Sequence, residues 1–393
     1  MPFLLPQSVF QTDGIALVLA FGRLSVLEGC TILGGTVQRA EAPSDRVSLL
    51  HMDHLPAERL DELSGAHKAA PVVSMVDSAE SPPGELIDLM LSHVEDNSNI
   101  SVSGYDIGED DYEGIVRSIL DGLRDSGLKK VRLLRPKGNE LLSEGVLKRE
   151  AFDVVAFPYH GGFALGPTAW VSDSASMRRR GTSKPTPHSD IALSPRLART
   201  LVNLAGLQHG QTVLDPFCGS GTILTEAYGM SMRCLGLDSS ASRVQEAREN
   251  LRWSVGGVSD KGYDIRKGDA RDLPRMLRGT KVDAIVTEPV LLPRLDARPK
   301  TSTAQAMIES SARVYNDALA SMSEVVQPDG RIVIVVPVVQ TMDGDEVTLT
   351  LEGRNLGLRL FQPGPVGFEY PVRLSFESTR WIKRAVYVFE PRS

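Results

Sequence analysis

The stretch that most constrains how this chain can fold is Val213-Leu214-Asp215-Pro216-Phe217-Cys218-Gly219-Ser220-Gly221-Thr222. An apolar run ends in an acid, a glycine turn follows at once, and residues 223–227 then read as helix. Glycines at such a turn let the backbone approach a ligand that a β-carbon would exclude. The helix beyond offers unpaired backbone N–H groups at its start. In an α/β sheet the crevice at the carboxyl end of a strand is where a nucleotide-like ligand sits.

The chain around this turn has the pattern that such a crevice needs. Ser194-Pro195 opens a helix at the proline, with Leu197, Leu201 and Leu204 on one face. Strands are expected at 212–214, 234–237, 265–267, 282–287 and 331–336, with helices at 221–229, 240–251 and 302–325 between them. The run 282–287 is continuously apolar save for one acid, as in a strand buried on both faces. This alternation implies a doubly wound, Rossmann-like parallel sheet of the α/β class. Residues 374–376 and 385–389, with no helix between them, predict a terminal antiparallel pair.

The 393 residues exceed one ordinary domain. Residues 1–80 predict a small α+β domain with strands at 15–21, 48–52 and 70–76 and a helix at 56–63 carrying Pro56 in its first turn. Residues 81–171 predict a second α+β module. It has helices at 85–93 and 109–126, the latter stopped by Gly127. Its strands fall at 100–103, 131–134, 152–157 and 163–171, the last two flanking the turn His160-Gly161-Gly162. Residues 172–193 read as an irregular linker, and 194–393 as the α/β domain.

Charge is spread unevenly. Residues 1–100 hold 5 Lys/Arg against 14 Asp/Glu, whereas residues 128–200 hold 13 against 6. A polyanion would be repelled by the first segment and attracted by the second. Lys129, Lys130, Arg178, Arg179, Arg180 and Lys184 are the candidate phosphate contacts, of the kind that position a nucleic acid without reading its sequence. The apolar runs are strand-sized and too short to span a bilayer. No secretory signal is read at the start. Three scattered cysteines (Cys30, Cys218, Cys234) give neither a disulfide framework nor a zinc site. His51, His54 and His67 lack metal-site spacing. No metal and a cytoplasmic location are therefore expected.

Four strand ends each carry an acid: Asp215, Asp238, Asp269 and Glu288. Parallel strands put these ends on one sheet edge. Asp238 has about the spacing from the turn of an acid that holds ribose hydroxyls. The turn lacks the third spaced glycine of a pyrophosphate fingerprint, and Asp215 would repel a pyrophosphate. S-adenosylmethionine, a cation without phosphate, suits the edge better than NAD. Cys218 has no local histidine to activate it and is read as a packing residue.

As a block, DPFCGSGT at 215–222 is similar to the first motif of S-adenosylmethionine-dependent amino-methylases of nucleic acids. LSPRLARTLVNLAG at 193–206 resembles the helix before that motif in the archaeal-type THUMP-domain tRNA guanine-10 N2-methyltransferases. Residues 63–68, 100–103 and 139–146 resemble parts of that family's N-terminal ferredoxin-like and THUMP regions. The resemblance implies a class I methyltransferase with tRNA as partner, acting as a monomer or with an accessory subunit. It implies that Asp215, Phe217, Gly219 and Gly221 line the methionine part of the cofactor, that Asp238 holds the ribose and that Asp269 and Ala270 meet the adenine. Pro195, Pro216, Thr222 and Ser239 complete the cofactor set. The family's Asp/Asn-Pro-Pro-aromatic motif reads Glu288-Pro289-Val290-Leu291 here, which leaves Glu288 and Pro289 to orient the target amine, lengthens the acid by one methylene and removes the second proline and the aromatic ring. Lys184-Pro185 resembles a family Arg-Pro pair. A DNA or other RNA amino-methylase, and a non-catalytic tRNA- or cofactor-binding protein, are the alternatives.

Overall fold

Buried β-branched and leucine runs become the central strands, and glycines and prolines separate them. In a computed structural model the described residues are 14–19, 22–33, 37–44, 46–52, 57–135, 150–186, 193–254, 256, 262–289, 292, 295–362, 370–374 and 381–392. Residues up to 175 group into one compact unit and those from 176 into a second.

The first unit holds two sheets. Ile15–Leu19 (β1) is buried throughout and is followed by helix Arg23–Leu33 (α1), then Val37–Glu41 (β2), Val47–Met52 (β3), a 3-10 turn Ala57–Glu62 and Ala66–Pro71 (β4). The four strands are antiparallel in the order β4-β1-β3-β2. This is the β-α-β-β-α-β connectivity of ferredoxin-like units, with the 3-10 turn in place of the second helix. The expected α-helix over 56–63 is thus corrected for its described part. Helix α1 and strand β2 have no counterpart in the sequence expectation. Most of α1, including Glu28, is buried, so it lacks the polar stripe that makes a helix legible. Glu28 accepts from Ser64 N and Oγ and from Gly65 N, which fastens the loop before β4.

The expected strand over 70–76 is two strands in different sheets, since Ser74–Val76 (β5) opens the second. That sheet continues through Gly84–Leu91 (α2), Asn99–Gly104 (β6), Glu109–Asp125 (α3), Arg132–Leu133 (β7), Phe152–Tyr159 (β8) and Gly162–Pro167 (β9), in the order β5-β9-β8-β6-β7. His160 and Gly161 both have positive φ, as a tight hairpin turn requires. The expected strand over 163–171 also divides. Past Pro167, Trp170–Val171 (β10) leaves β9 and pairs with Lys68 and Ala69 of β4 in the first sheet. The sheets share a core that includes Val18, Leu49, Tyr105, Val155 and Phe157. Within it Lys68, fully buried, meets Asp153 at 2.8 Å.

The second unit begins within a helix, Ser174–Thr182 (α4), where an irregular linker was expected. Pro195–Leu204 (α5) follows, capped by Ser194, whose side chain accepts from Leu197 N. Then come Thr212–Asp215 (β11), Thr222–Gly229 (α6), Arg233–Asp238 (β12), Ala241–Ser254 (α7), Tyr263–Lys267 (β13), Leu273–Leu277 (α8), Val282–Thr287 (β14), Thr301–Val325 (α9) and Val326–Gln340 (β15). Beyond these lie Glu346–Thr348 (β16), Leu358–Leu360 (β17), Val372–Arg373 (β18) and Ile382–Pro391 (β19).

The sheet order is β13-β12-β11-β14-β15-β19-β17. Strands through β15 are parallel along this path, and β19 and β17 are antiparallel to their neighbours. The expected terminal antiparallel pair is present in its described part: β18 pairs with β19 off the main path, Leu374 N donates to Arg384 O, residues 375 and 376 lie outside the described residues, and β17 forms the far edge. Ala304, Ile308, Tyr315, Leu319 and Met322 of α9 join the core formed with Ile285, Ile332 and Ile334. Residues 136–149, His54, Pro56, Val290, Leu291 and Pro293 lie outside the described residues. Among the described residues no helix is long and apolar enough to cross a membrane.

Candidate active site

The chain reverses its direction across the sheet between β11 and β14, and the crevice of a doubly wound sheet lies at that switch. Asp215 ends β11 and Glu288 immediately follows β14. Asp238 ends β12, and Asp269 follows β13 by two residues. The four acids do lie at one sheet edge, in spatial order Asp269, Asp238, Asp215, Glu288.

They differ in what surrounds them. Asp215 is buried; its Oδ1 accepts from Thr287 Oγ1 at 2.7 Å and from Phe217 N at 3.1 Å. Burial outweighs both hydrogen bonds and, with the nearby charges of Asp238 and Glu288, pushes its carboxyl up to about 7. Asp238 accepts from Gly219 N at 3.0 Å and from Ser240 N at 2.8 Å, so it ties the turn to the second strand. Ser239 beside it is exposed. Asp269 caps the 3-10 turn Ala270–Asp272 and is gripped by Arg271 at 2.6 Å, whose guanidinium holds it down at about 2. Ala270 is buried behind it.

The two glycines of the turn do different work. Gly219 has φ +51°, and a β-carbon there would point into open space. Gly221 has φ +80°, and a β-carbon there would sit 3.0 Å from Leu251 Cδ1 and 3.1 Å from Ala247 Cβ. Gly219 keeps room in front of the turn, and Gly221 lets α7 pack behind it. Pro216 is buried and Phe217 packs against the sheet core. Burial, together with the Asp215 and Asp238 charges, pushes the Cys218 thiol far above its ordinary range. It has no thiolate character and packs as a small apolar residue.

Residues 184–186 and the neighbouring helices brace the turn from behind. Asn250 donates to Ser220 O at 2.9 Å and accepts from Thr186 N and Oγ1 at 3.2 and 2.9 Å. Lys184, buried, donates to Thr222 Oγ1 at 3.2 Å. Arg180 of α4 is paired with the buried Glu226 at 2.8 Å. Lys184, Pro195 and Thr222 line one small cleft with Glu226 and Asn250. Of the cations expected to form an exposed strip, Arg178 and Arg179 are exposed, while Arg180 and Lys184 are turned into the domain. This corrects their placement. Lys129 and Lys130 are exposed in the first unit.

Glu288 is held by a residue the sequence reading did not single out. Arg384 of β19, 4% exposed, donates its Nε–H to Glu288 Oε1. Pro289 is buried beside it. The available signal was a pair of cations, Lys383 and Arg384, set in the otherwise largely apolar run 382–389; nothing local tied Arg384 to a residue 96 positions away. Thr287 and Asn250 were likewise missed, because their roles depend on contacts between distant segments.

Residues 186–343 match the UPF0020 family, described as RMKL-like, methyltransferase domain. That segment is similar to the methyltransferase domain of that family. The chain is 38% identical over 146 residues to a tRNA (guanine(10)-N2)-dimethyltransferase of Methanothermobacter thermautotrophicus, covering 37% of this chain and 39% of the relative. It is 33% identical over 190 residues to the Pyrococcus abyssi protein of the same description, covering 48% and 50%. The chain thus matches half or less of the length of these relatives. In solved structures its fold is similar to TrmN from Thermus thermophilus, with a TM-score of 0.53 and 19% identity, covering 96% of this chain and 99% of that one. The sheet of the methyltransferase domain is the class I arrangement, and its glycine turn and the Glu288-Pro289 segment lie within the matched range.

Proposed function

We propose that this protein transfers a methyl group from S-adenosylmethionine to the exocyclic N2 amine of a guanine in tRNA, at position 10. The observation that carries the reading is the switch-point pair: a glycine turn with an open front at β11, next to Glu288-Pro289 after β14. The similarity to the two dimethyltransferases supports tRNA as the substrate class.

The residues fit the cofactor. The open front of Gly219 leaves a cradle that a β-carbon would fill, and the sheet edge offers acids, as a sulfonium and an ammonium require. When bound, S-adenosylmethionine supplies an electrophilic methyl group. Asp215 and Asp238 keep the turn in shape, the first through Phe217 N and the second through Gly219 N. The Glu288 carboxylate and the Pro289 carbonyl accept from the guanine amine and orient its lone pair, which contributes chiefly positioning. Cys218 takes no part.

The test is incubation with radiolabelled S-adenosylmethionine and unmodified tRNA transcripts, followed by digestion to nucleosides. Label in N2-methylguanosine is expected, and it should vanish in a transcript with adenosine at position 10. Label in another nucleoside would move the substrate. Bound cofactor with no transfer would leave a binding protein.

A further inference from the structure

The acid of the transfer motif does not stand alone, and resting on the reading above we propose that Arg384 is a positioning residue that holds Glu288 in place for the target amine.

The geometry is specific to this pair. Strand β15 lies between β14 and β19, so Glu288 and Arg384 reach toward each other across an intervening strand. Two strand spacings amount to about 10 Å, which only long side chains bridge. Glutamate, with one methylene more than aspartate, and arginine meet that need. The register places Arg384 at the right height. Thr287 pairs with Ile334, whereas Arg384 pairs with Pro337, three residues further along the same strand. The β15–β19 pair outruns β14 and forms a wall beside Glu288.

Both partners are well buried, with side-chain exposures of 5% for Arg384 and 13% for Glu288. In a buried charge pair, removing one member perturbs the other. Tyr315 of α9 adds a second observation. It is 1% exposed, and its hydroxyl has no hydrogen-bond partner among the described residues. It feels both the Glu288 and the Arg384 charges. The pairing suits the longer acid that stands here in place of the Asp or Asn of the motif this segment resembles.

The experiment compares Arg384→Met, Arg384→Lys and Glu288→Ala with the wild-type full chain. The readouts are kcat and KM on tRNA transcript, S-adenosylhomocysteine affinity by calorimetry, and Tm. Arg384→Met should lower kcat by roughly 100-fold, the order expected from slight misplacement of a reacting group. KM and the S-adenosylhomocysteine Kd should stay within about twofold. Arg384→Lys should recover part of the kcat loss, and it replaces Arg384→Met in the comparison should the latter fail to fold. A kcat for Arg384→Met equal to wild type overturns the proposal, as does an Arg384→Lys kcat no better than that of Arg384→Met, and so does a loss in which kcat, cofactor affinity and Tm fall together. Inactive Glu288→Ala beside active Arg384→Met sinks this inference alone, whereas active Glu288→Ala sinks the reading beneath it.

Discussion

Thr287 donates its hydroxyl to Asp215 Oδ1 at 2.7 Å, joining the ends of two adjacent parallel strands at the switch point. The bond favours the ionised acid, yet burial prevails and lifts the Asp215 carboxyl from 3.8 to about 7. Between those values the folded protein keeps a proton that the unfolded chain has lost. Stability therefore falls as pH rises from about 4 to about 7 and levels off above. The full effect is at most about 4 kcal/mol. Asp215→Asn should flatten that slope, as read by urea unfolding across the window. The ionised acid suits a cation, so S-adenosylmethionine affinity should strengthen as pH rises through about 7 in the wild type but not in the variant. A pH-independent wild-type Kd would refute this.

The two turn glycines should separate binding from folding. Gly219→Ala places a methyl in open space at positive φ, costing about 1 kcal/mol of strain. Its main effect should be weaker S-adenosylhomocysteine binding with a small change in Tm. Gly221→Ala drives a methyl against Leu251 and Ala247, and its main effect should be a lower Tm. Calorimetry and thermal melts on both variants settle it; equal effects on both readouts would contradict the division.

In the first unit Lys68 and Asp153 form a fully buried pair, with Ser101, Ser103 and Thr168 donating to the same carboxylate. Lys68→Met removes the cation and strands the acid, which should cost about 3–5 kcal/mol. The exposed Arg135–Glu113 pair is screened by water, so Arg135→Ala should leave the melting curve unchanged. Denaturant titration of the two variants tests the ranking.

Cys218 occupies the centre of the turn, is 5% exposed, and carries a thiol raised well above its ordinary range. Cys218→Ala should keep kcat within about twofold. Iodoacetamide at neutral pH should leave Cys218 unmodified by mass spectrometry in the folded protein. Rapid alkylation coupled to inactivation would restore a chemical role.

Which parts of this were legible follows from how each element is buried. Strands β11 and β14 lie inside a parallel sheet and read as mainly apolar runs, and the glycine turn announces the helix after it. Helix α1 is wrapped by its neighbours, Glu28 included, so its sequence shows no polar face to set the period. The 172–193 stretch looked irregular because α4 is polar nearly all round, with no buried residue to mark it. Its Arg180 and Lys184 looked like surface cations, since nothing in their own segment reveals Glu226 or Thr222 as partners. The acid edge was readable because strand ends are local, whereas the Arg384 grip is a property of the folded sheet alone.

Strand β10 carries a further consequence. The chain leaves the first sheet at Pro71, builds the whole second sheet, and returns at Trp170 to pair with Ala69. The second sheet is thus an insertion between the last two strands of the first, not a bead following it. A fragment ending at residue 80 would keep β4 but strip off its neighbour, turning a covered strand into an open edge prone to recruit other chains. Because the insertion begins and ends at one edge, the loss of either sheet would be felt by both.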